Sequence, residues 1–369
     1  MYLAPSILLW ILLAIVALIV FVVLFIRFAP QLGRMPEGER LKRVEKSPQY
    51  NGEIFKNNPV AVVQINARSS FGIIRRMLRK SENRRPKNTL PSQQPVFDKS
   101  SGAYLTWFGH STFLYEIEGK KILLDPMLGK YASPIPFLIK RYPYVLPSSA
   151  KDLPPLDAVI ISHDHYDHLD YGTIKILKDK VGRFIMPLGV GAHLERWGVV
   201  KEKITELDWW EETPLGDLRI AATPSQHFSG RTLKDRAKTL WAGWVIQSKS
   251  AKVFFGGDSG YFPGFKKIGE TYGPFDLTLT DSAQYNSQWP IVHMTPEQSV
   301  QAHQDLKGKV HMPIHWSAFT LSLHPWNEPP ERALVAAEKQ NVDIITPIIG
   351  QRFDVIHDRP REKWWRKVK

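Results

Sequence analysis

Six residues near the middle of the chain, His163-Asp164-His165-Tyr166-Asp167-His168, constrain it more than any other feature. They follow directly on the apolar run Ala158-Val159-Ile160-Ile161, which reads as a buried strand ending in a loop. In α/β folds that junction is where reactive side chains collect. Three imidazoles and a carboxylate held this close would repel one another if protonated, and would waste donors if merely buried. A divalent cation removes both difficulties, because neutral imidazole and carboxylate are good ligands. The chain has no cysteine, so disulfides, thiolate metal sites and a cysteine nucleophile are excluded. Any metal must be held by nitrogen and oxygen.

One loop does not easily saturate two metals, and partners recur in the same context. His227 follows the apolar run 218–222 through Thr223-Pro224-Ser225-Gln226. Asp258 follows Val253-Phe254-Phe255 through Gly256-Gly257, whose lack of side chains lets backbone approach closely. His315 ends the run Val310-His311-Met312-Pro313-Ile314. Taken singly, each is more often structural than a ligand. Behind so specific a primary motif, the three complete two metal shells.

From Ala103 onward short apolar runs alternate with turns, and residues 111–117 and 121–124 flank a hairpin turn at Glu118-Gly119-Lys120. Thr295-Pro296-Glu297-Gln298 carries the cap, first-turn proline and third-position Gln of a helix start, and residues 330–340 predict another helix. With 43% hydrophobic and 23% charged residues, the composition predicts a packed core. The alternation predicts an α/β (layered α+β) domain over residues 101–350.

The other long-range constraint is at the N-terminus. Residues 7–26 are uninterruptedly apolar. A helix of that length spans roughly 30 Å, the thickness of a bilayer's hydrocarbon. No charge precedes the run, and Arg27-Phe28-Ala29-Pro30 is a poor signal-peptide cleavage site, so residues 1–28 are expected to be a retained transmembrane anchor. Of the formal charge of +13, residues 27–100 supply +10, from 16 Lys/Arg against 6 Asp/Glu. This basic juxtamembrane segment, 29–100, places the rest of the chain on the cytoplasmic side by the positive-inside rule and suits an anionic membrane surface. Within it Phe71, Ile74, Met77 and Leu78 have helical spacing, fitting a helix on a membrane surface or one packed on the domain, and residues 81–95 read as a linker. The irregular stretch 134–144 reads as a greasy rim or as a loop packed on the core. The basic tail 351–369, with Trp364 and Trp365, suggests a second membrane contact, a disordered end or a docked one. No nucleic-acid partner is expected, because aromatics are not interleaved with the cations in a binding groove.

These residues resemble the metallo-β-lactamase superfamily. Within it the chain is most similar to the branch of N-acyl-phosphatidylethanolamine-hydrolysing phospholipase D. The resemblance is carried by Trp107-Phe108-Gly109-His110-Ser111-Thr112, Leu124-Asp125-Pro126, residues 162–170, Gln226-His227-Phe228, Arg231-Thr232-Leu233, residues 254–261, 313–316 and Glu328-Pro329-Pro330. It implies an αββα sandwich, here behind an N-terminal transmembrane helix, with a binuclear site at one edge. One metal would be held by His163, His165 and His227, the other by Asp167, His168 and His315, with Asp258 bridging both. The implied cofactor is two zinc ions per chain, with manganese or iron also suited to the donors, and a hydroxide between them as nucleophile. His293 and His324 fall where the branch has histidines near the substrate, with catalytic roles at an oxyanion or leaving group. Tyr285 and Trp289 share that loop, Gln226 stands beside His227, and Asp125 is expected to orient metal ligands. Asp281-Ser282-Ala283-Gln284 departs from the more apolar stretch of the branch. The implied activity is a membrane-anchored phosphodiesterase of the phospholipase D type acting on (N-acyl) phospholipids. The rivals are a metal-dependent lactonase of the sugar-phosphate type and a metal-binding membrane or nucleic-acid scaffold without catalysis.

Overall fold

In the long strands both sets of alternating side chains are largely buried, so each sheet is covered on both faces. The computed structural model, which describes residues 5–58, 83–97, 102–145 and 150–368, achieves this with four layers. One sheet runs in the order β14-β1-β2-β3-β4-β5-β6: Arg352–Asp354, Ala103–Trp107, Phe113–Ile117, Lys120–Leu124, Leu156–Ile160, Val181–Pro187 and Ile204–Leu207. The other is β13-β12-β11-β10-β9-β8-β7: Asp343–Ile344, Gly308–Ile314, Phe275–Asp281, Lys252–Phe255, Gly243–Gln247, Leu218–Thr223 and Glu212–Leu215. The first turns from antiparallel to parallel at β3–β4, the second at β10–β11.

The inner faces meet. Phe113, Tyr115, Ala158 and Ile160 from one sheet share a core with Ile220, Phe255, Leu279 and Met312 from the other. The alternate residues Leu114, Val159 and Phe184 turn outward onto α3 (Tyr171–Leu177) and α4 (Gly191–Arg196). Phe254 and Phe275 turn onto α5 (Gly264–Thr271) and α6 (Pro296–Asp305), and α7 (Glu328–Lys339) packs against α6. This is the αββα sandwich.

Local signals account for the connections. Glu118 and Gly119 both hold positive φ (48° and 75°), as a two-residue turn between twisted strands requires. Thr295 caps α6 by accepting from Gln298 N while Gln298 Oε1 accepts from Thr295 N.

α1 (Pro5–Phe28), followed by the short α2 (Gly38–Glu45), is long and apolar enough to cross a bilayer, and its span Ile7–Phe28 is not buried against the rest of the chain. The helix predicted around Phe71–Leu78 lies outside the described residues. One expectation is corrected and one open alternative is decided. The stretch read as a linker is docked from residue 83 on: Leu90 is buried, and Gln93 N donates to Ile349 O. The tail is wound into the sandwich as well, since β14 pairs with β1 and Trp364 and Trp365 are core residues. Trp364 stacks on Trp316 (5.2 Å, 13°), and its Nε1 donates to Pro347 O. The Trp364 and Trp365 rings are both buried with their N–H groups satisfied, which suits large aromatic side chains to a core. The stretch 134–144 divides: Tyr142 is buried, while Ile135, Phe137 and Leu138 stand exposed.

Candidate metal centre

The candidate residues lie where strands run out along one edge of the paired sheets. Beyond β4 come His163, His165, Asp167 and His168; beyond β8, His227; beyond β10, Asp258; and beyond β12, His315. β1 and β3 are parallel in direction to β4 and release His110 and Asp125 at the same edge. His110, Asp125 and His315 hold left-handed backbone (φ 56°, 38° and 71°), a costly conformation for such residues that concentrates at functional sites. Gly257, at φ +56°, runs so close to Ser162 that a Cβ would lie 2.5 Å from the serine Cβ.

Two groups of donors converge. His163, His165, His227 and Asp258 each offer an atom within 4.8 Å of the others, and so do His110, Asp167, His168 and His315. Asp258 joins them. Its Oδ2 lies 3.8 and 3.7 Å from the Nε2 atoms of His163 and His227. Its Oδ1 lies 3.1 Å from His168 Nε2 and 3.0 Å from His315 Nδ1.

The surrounding hydrogen bonds fix which nitrogens are bare. His227 Nδ1–H donates to Val292 O at 2.9 Å, and His168 Nδ1–H to Asp125 Oδ2 at 2.7 Å. His163 Nδ1–H donates to Ser162 Oγ at 2.9 Å, whose own proton goes to Asp125 Oδ2. Each of these rings therefore turns an Nε2 lone pair inward. His163 Nε2 and His227 Nε2 both face His165 Nδ1, at 2.8 and 3.2 Å. Buried His168 Nε2, His315 Nε2, His110 Nδ1 and Asp258 Oδ1 make no hydrogen bond. Convergent ring nitrogens and carboxylate oxygens, backed by oriented outer partners, fit divalent cations.

Electrostatics agree with neutral ligands. Burial pushes His163, His227 and His315 well below the usual imidazole range, and His165 and His110 to about 4. His168 differs: burial opposes its charge, but Asp258, Asp167 and Asp125 outweigh it and raise the ring. Burial raises Asp258.

The expected substrate-side residues separate. His293 is at the site, its ring 5.1 Å from those of His227 and His315. Its Nδ1 donates to Asp281 Oδ2 at 2.8 Å, and although burial opposes it, that carboxylate raises the ring's pKa. His324 lies in a separate hydrogen-bonded cluster. Its Nε2 accepts from Gln284 N at 2.8 Å and its Nδ1 donates to Pro325 O, so both nitrogens are engaged with backbone. Tyr285 stacks on His324 and donates to Glu328, and Trp289 Nε1 holds Gln284 O. Gln226 is tied to Tyr261 O and Ile291 O and clamps two loops rather than facing a ligand.

Several residues were not legible in the sequence. His110 donates to Asp167 Oδ2 at 2.8 Å, and only its place in the Trp107–Thr112 stretch hinted at it. Asp281, read as a departure, orients His293. Asn57 pairs with both the N–H and C=O of His227, from 170 residues away. No local signal announces that.

Comparison with known proteins agrees with this geometry. The family described as Beta-lactamase superfamily domain matches residues 120–316. An uncharacterized protein of Mycobacterium tuberculosis is 40% identical over 329 residues, 87% of this chain and 88% of its own length. N-acyl-phosphatidylethanolamine-hydrolyzing phospholipase D 1 of Caenorhabditis elegans is 31% identical over 297 residues, 74% of this chain and 83% of that protein. Among solved structures, Igni18, a metallo hydrolase of Ignicoccus hospitalis, shares the fold with a TM-score of 0.52 at 22% identity, over 68% of this chain and 97% of that one. On its matched length, its identity to these relatives and its clustered His and Asp donors, the chain belongs to the metallo-β-lactamase superfamily of metal-dependent hydrolases and is related to its N-acyl-phosphatidylethanolamine-hydrolysing phospholipase D branch.

Proposed function

We propose that the chain is a membrane-anchored, two-metal phosphodiesterase of the phospholipase D type, acting on (N-acyl) phospholipids. The observation that carries this reading is Asp258, one carboxylate with an oxygen turned to each donor group. On this reading His163, His165 and His227 hold one ion, Asp167, His168 and His315 the other, and Asp258 serves both. Zinc suits a nitrogen-rich, thiolate-free set. When bound, two such ions would lower the pKa of water and neutralise charge on a phosphoryl group.

The protein's own contributions follow from its contacts. His293, oriented by Asp281 beside His227 and His315, is placed to hand a proton to a leaving alkoxide. Asp125 and Ser162 hold the rings of His168 and His163 in the tautomer a ligand needs. His110 holds Asp167. The relative named for hydrolysing N-acyl-phosphatidylethanolamine supports the substrate class. The bare apolar surface of α1 and the +10 segment after it support a bilayer setting, with the domain on the cytoplasmic side.

The test uses the full chain in detergent. Metal per chain is measured first, then hydrolysis of an N-acylated phosphatidylethanolamine, a soluble phosphodiester and a lactone. Two ions per chain and diester turnover are expected, with both metal content and turnover falling in Asp258→Ala. Lactone turnover without diester turnover would refute the phosphodiesterase, and a chain that binds no metal would refute any metal-dependent reading.

A further inference from the structure

We propose that two loops at the root of α1, residues 134–139 and 231–236, form a second membrane contact. They enter the headgroup region of the bilayer that α1 crosses and turn the metal-bearing edge of the sandwich towards the lipid surface. The proposal rests on the reading of α1 as a bilayer anchor.

Gln31, three residues beyond the end of α1, touches both loops. Its Nε2 donates to Pro134 O at 3.0 Å, and its carbonyl accepts from Arg231 Nε and Nη2 at 3.1 and 2.8 Å. Trp197 Nε1 donates to Pro30 O at 2.7 Å, and Arg196 reaches the carbonyls of Phe28 and Ala29. The exit of the helix is therefore fixed on the domain, and both loops lie at the level where the chain leaves the membrane.

Their surfaces suit that place. Ile135, Phe137, Leu138 and Ile139 are exposed, Phe137 at 82%, and Leu233 at the tip of the other loop is fully exposed. Lys130, Lys140, Lys234 and Arg236 are exposed around them. The acid in these stretches, Asp235, is buried and accepts from the Arg231 and Thr232 N–H groups. Apolar tips framed by cations are what the interface of an anionic bilayer selects, and water is a poor partner for so contiguous a patch.

The inner ends of both loops rest on the metal centre. Arg231 Nη1 donates to Asp164 O and Leu169 O, the two ends of the metal-binding loop. Arg236 lies 4.2 Å over the ring of Phe228, which is 4.8 Å from that of His165. Arg141 lies 4.6 Å over Phe319, whose ring meets His110 edge-on at 5.3 Å. A phospholipid could thus present its phosphate to the site without leaving the membrane plane.

Because the chain has no cysteine, single-cysteine variants report cleanly. Phe137→Cys, Leu233→Cys, Ile15→Cys in α1 and Val335→Cys in the helix layer over the second sheet are each labelled with an environment-sensitive fluorophore. The full chain is reconstituted in vesicles of phosphatidylethanolamine and phosphatidylglycerol in equal parts. Blue-shifted emission and quenching by brominated lipid are expected at 137, 233 and 15, and water-like emission at 335. Quenching at 15 with water-like emission at 137 and 233 would overturn the loop contact and leave the anchor standing. Loss of quenching at 15 would sink the anchor and this proposal together. The double variant F137D/L233D should lose most turnover of vesicle phospholipid and keep its turnover of a water-soluble diester. Equal loss on both substrates would overturn the proposal.

Discussion

Asp125 shows how much of a metal site is decided one atom away from the ligands. Its Oδ1 accepts from Ser162 N at 2.6 Å, and its Oδ2 from Ser162 Oγ and His168 Nδ1. Two candidate ligand rings, His163 through the serine and His168 directly, take their orientation and tautomer from this carboxylate. Removing such a partner commonly weakens metal binding by about 10–100-fold. Asp125→Ala should show that loss in competition with a chelator, with an unchanged circular dichroism spectrum. Asp281 does the same for His293. Asp281→Asn should leave metal content unchanged and reduce turnover, chiefly through kcat, because it disturbs His293, the proposed proton donor, and leaves both donor groups intact. A loss of metal instead would show that Asp281 supports the ligands.

At the scale of elements, the metal-binding loop after β4 is held from segments far away in sequence. Asp164 accepts from Gly230 N, Thr239 Oγ1 and His193 Nε2, and His193 Nδ1 in turn accepts from Arg34 N. Asn57 grips the backbone of His227 and also accepts from Trp241 Nε1. The segment after α1 is thus a structural part of the site. Asn57→Ala should lower metal affinity by about tenfold, on the scale of other outer-shell losses, read by the same competition. The C-terminal segment stabilises instead. Trp364 lies among Trp107, Trp316 and Trp326, and Trp364→Ala should lower unfolding free energy by about 3–5 kcal/mol in a denaturant titration in detergent. A change under 1 kcal/mol would mean that the tail is a loose appendage.

For the whole molecule, buried histidines set the acid limit. His303, packed between α6 and β11, is pushed by burial to about 4, and burial lowers its neighbour His311 further. The unfolded chain takes up these protons near pH 6.5 and the folded one does not. The contribution of these two histidines is therefore full above pH 6.5 and lost as pH falls towards 4, by about 1.4 kcal/mol per pH unit for each. Chelator-treated chain should show this slope in unfolding titrations, and His303→Gln should reduce it. The sequence by itself determined the donor types, the strand runs before each donor, the capped start of α6 and the apolar helix, because each is written in neighbouring residues through periodicity and chemistry. Those signals reached a layered α/β domain and the candidate donors, while the resemblance to the metallo-β-lactamase superfamily implied the αββα sandwich and the sharing of seven donors between two metals. Only the tertiary structure decided that His110 and Asp281 join the cluster, that His324 is committed to backbone, that the tryptophans of the tail are core, and that Gln31 and Asn57 tie the segment after α1 to Arg231 and His227. These pairings depend on where distant strand ends meet when two sheet faces bury each other, and no window of neighbouring residues contains that information.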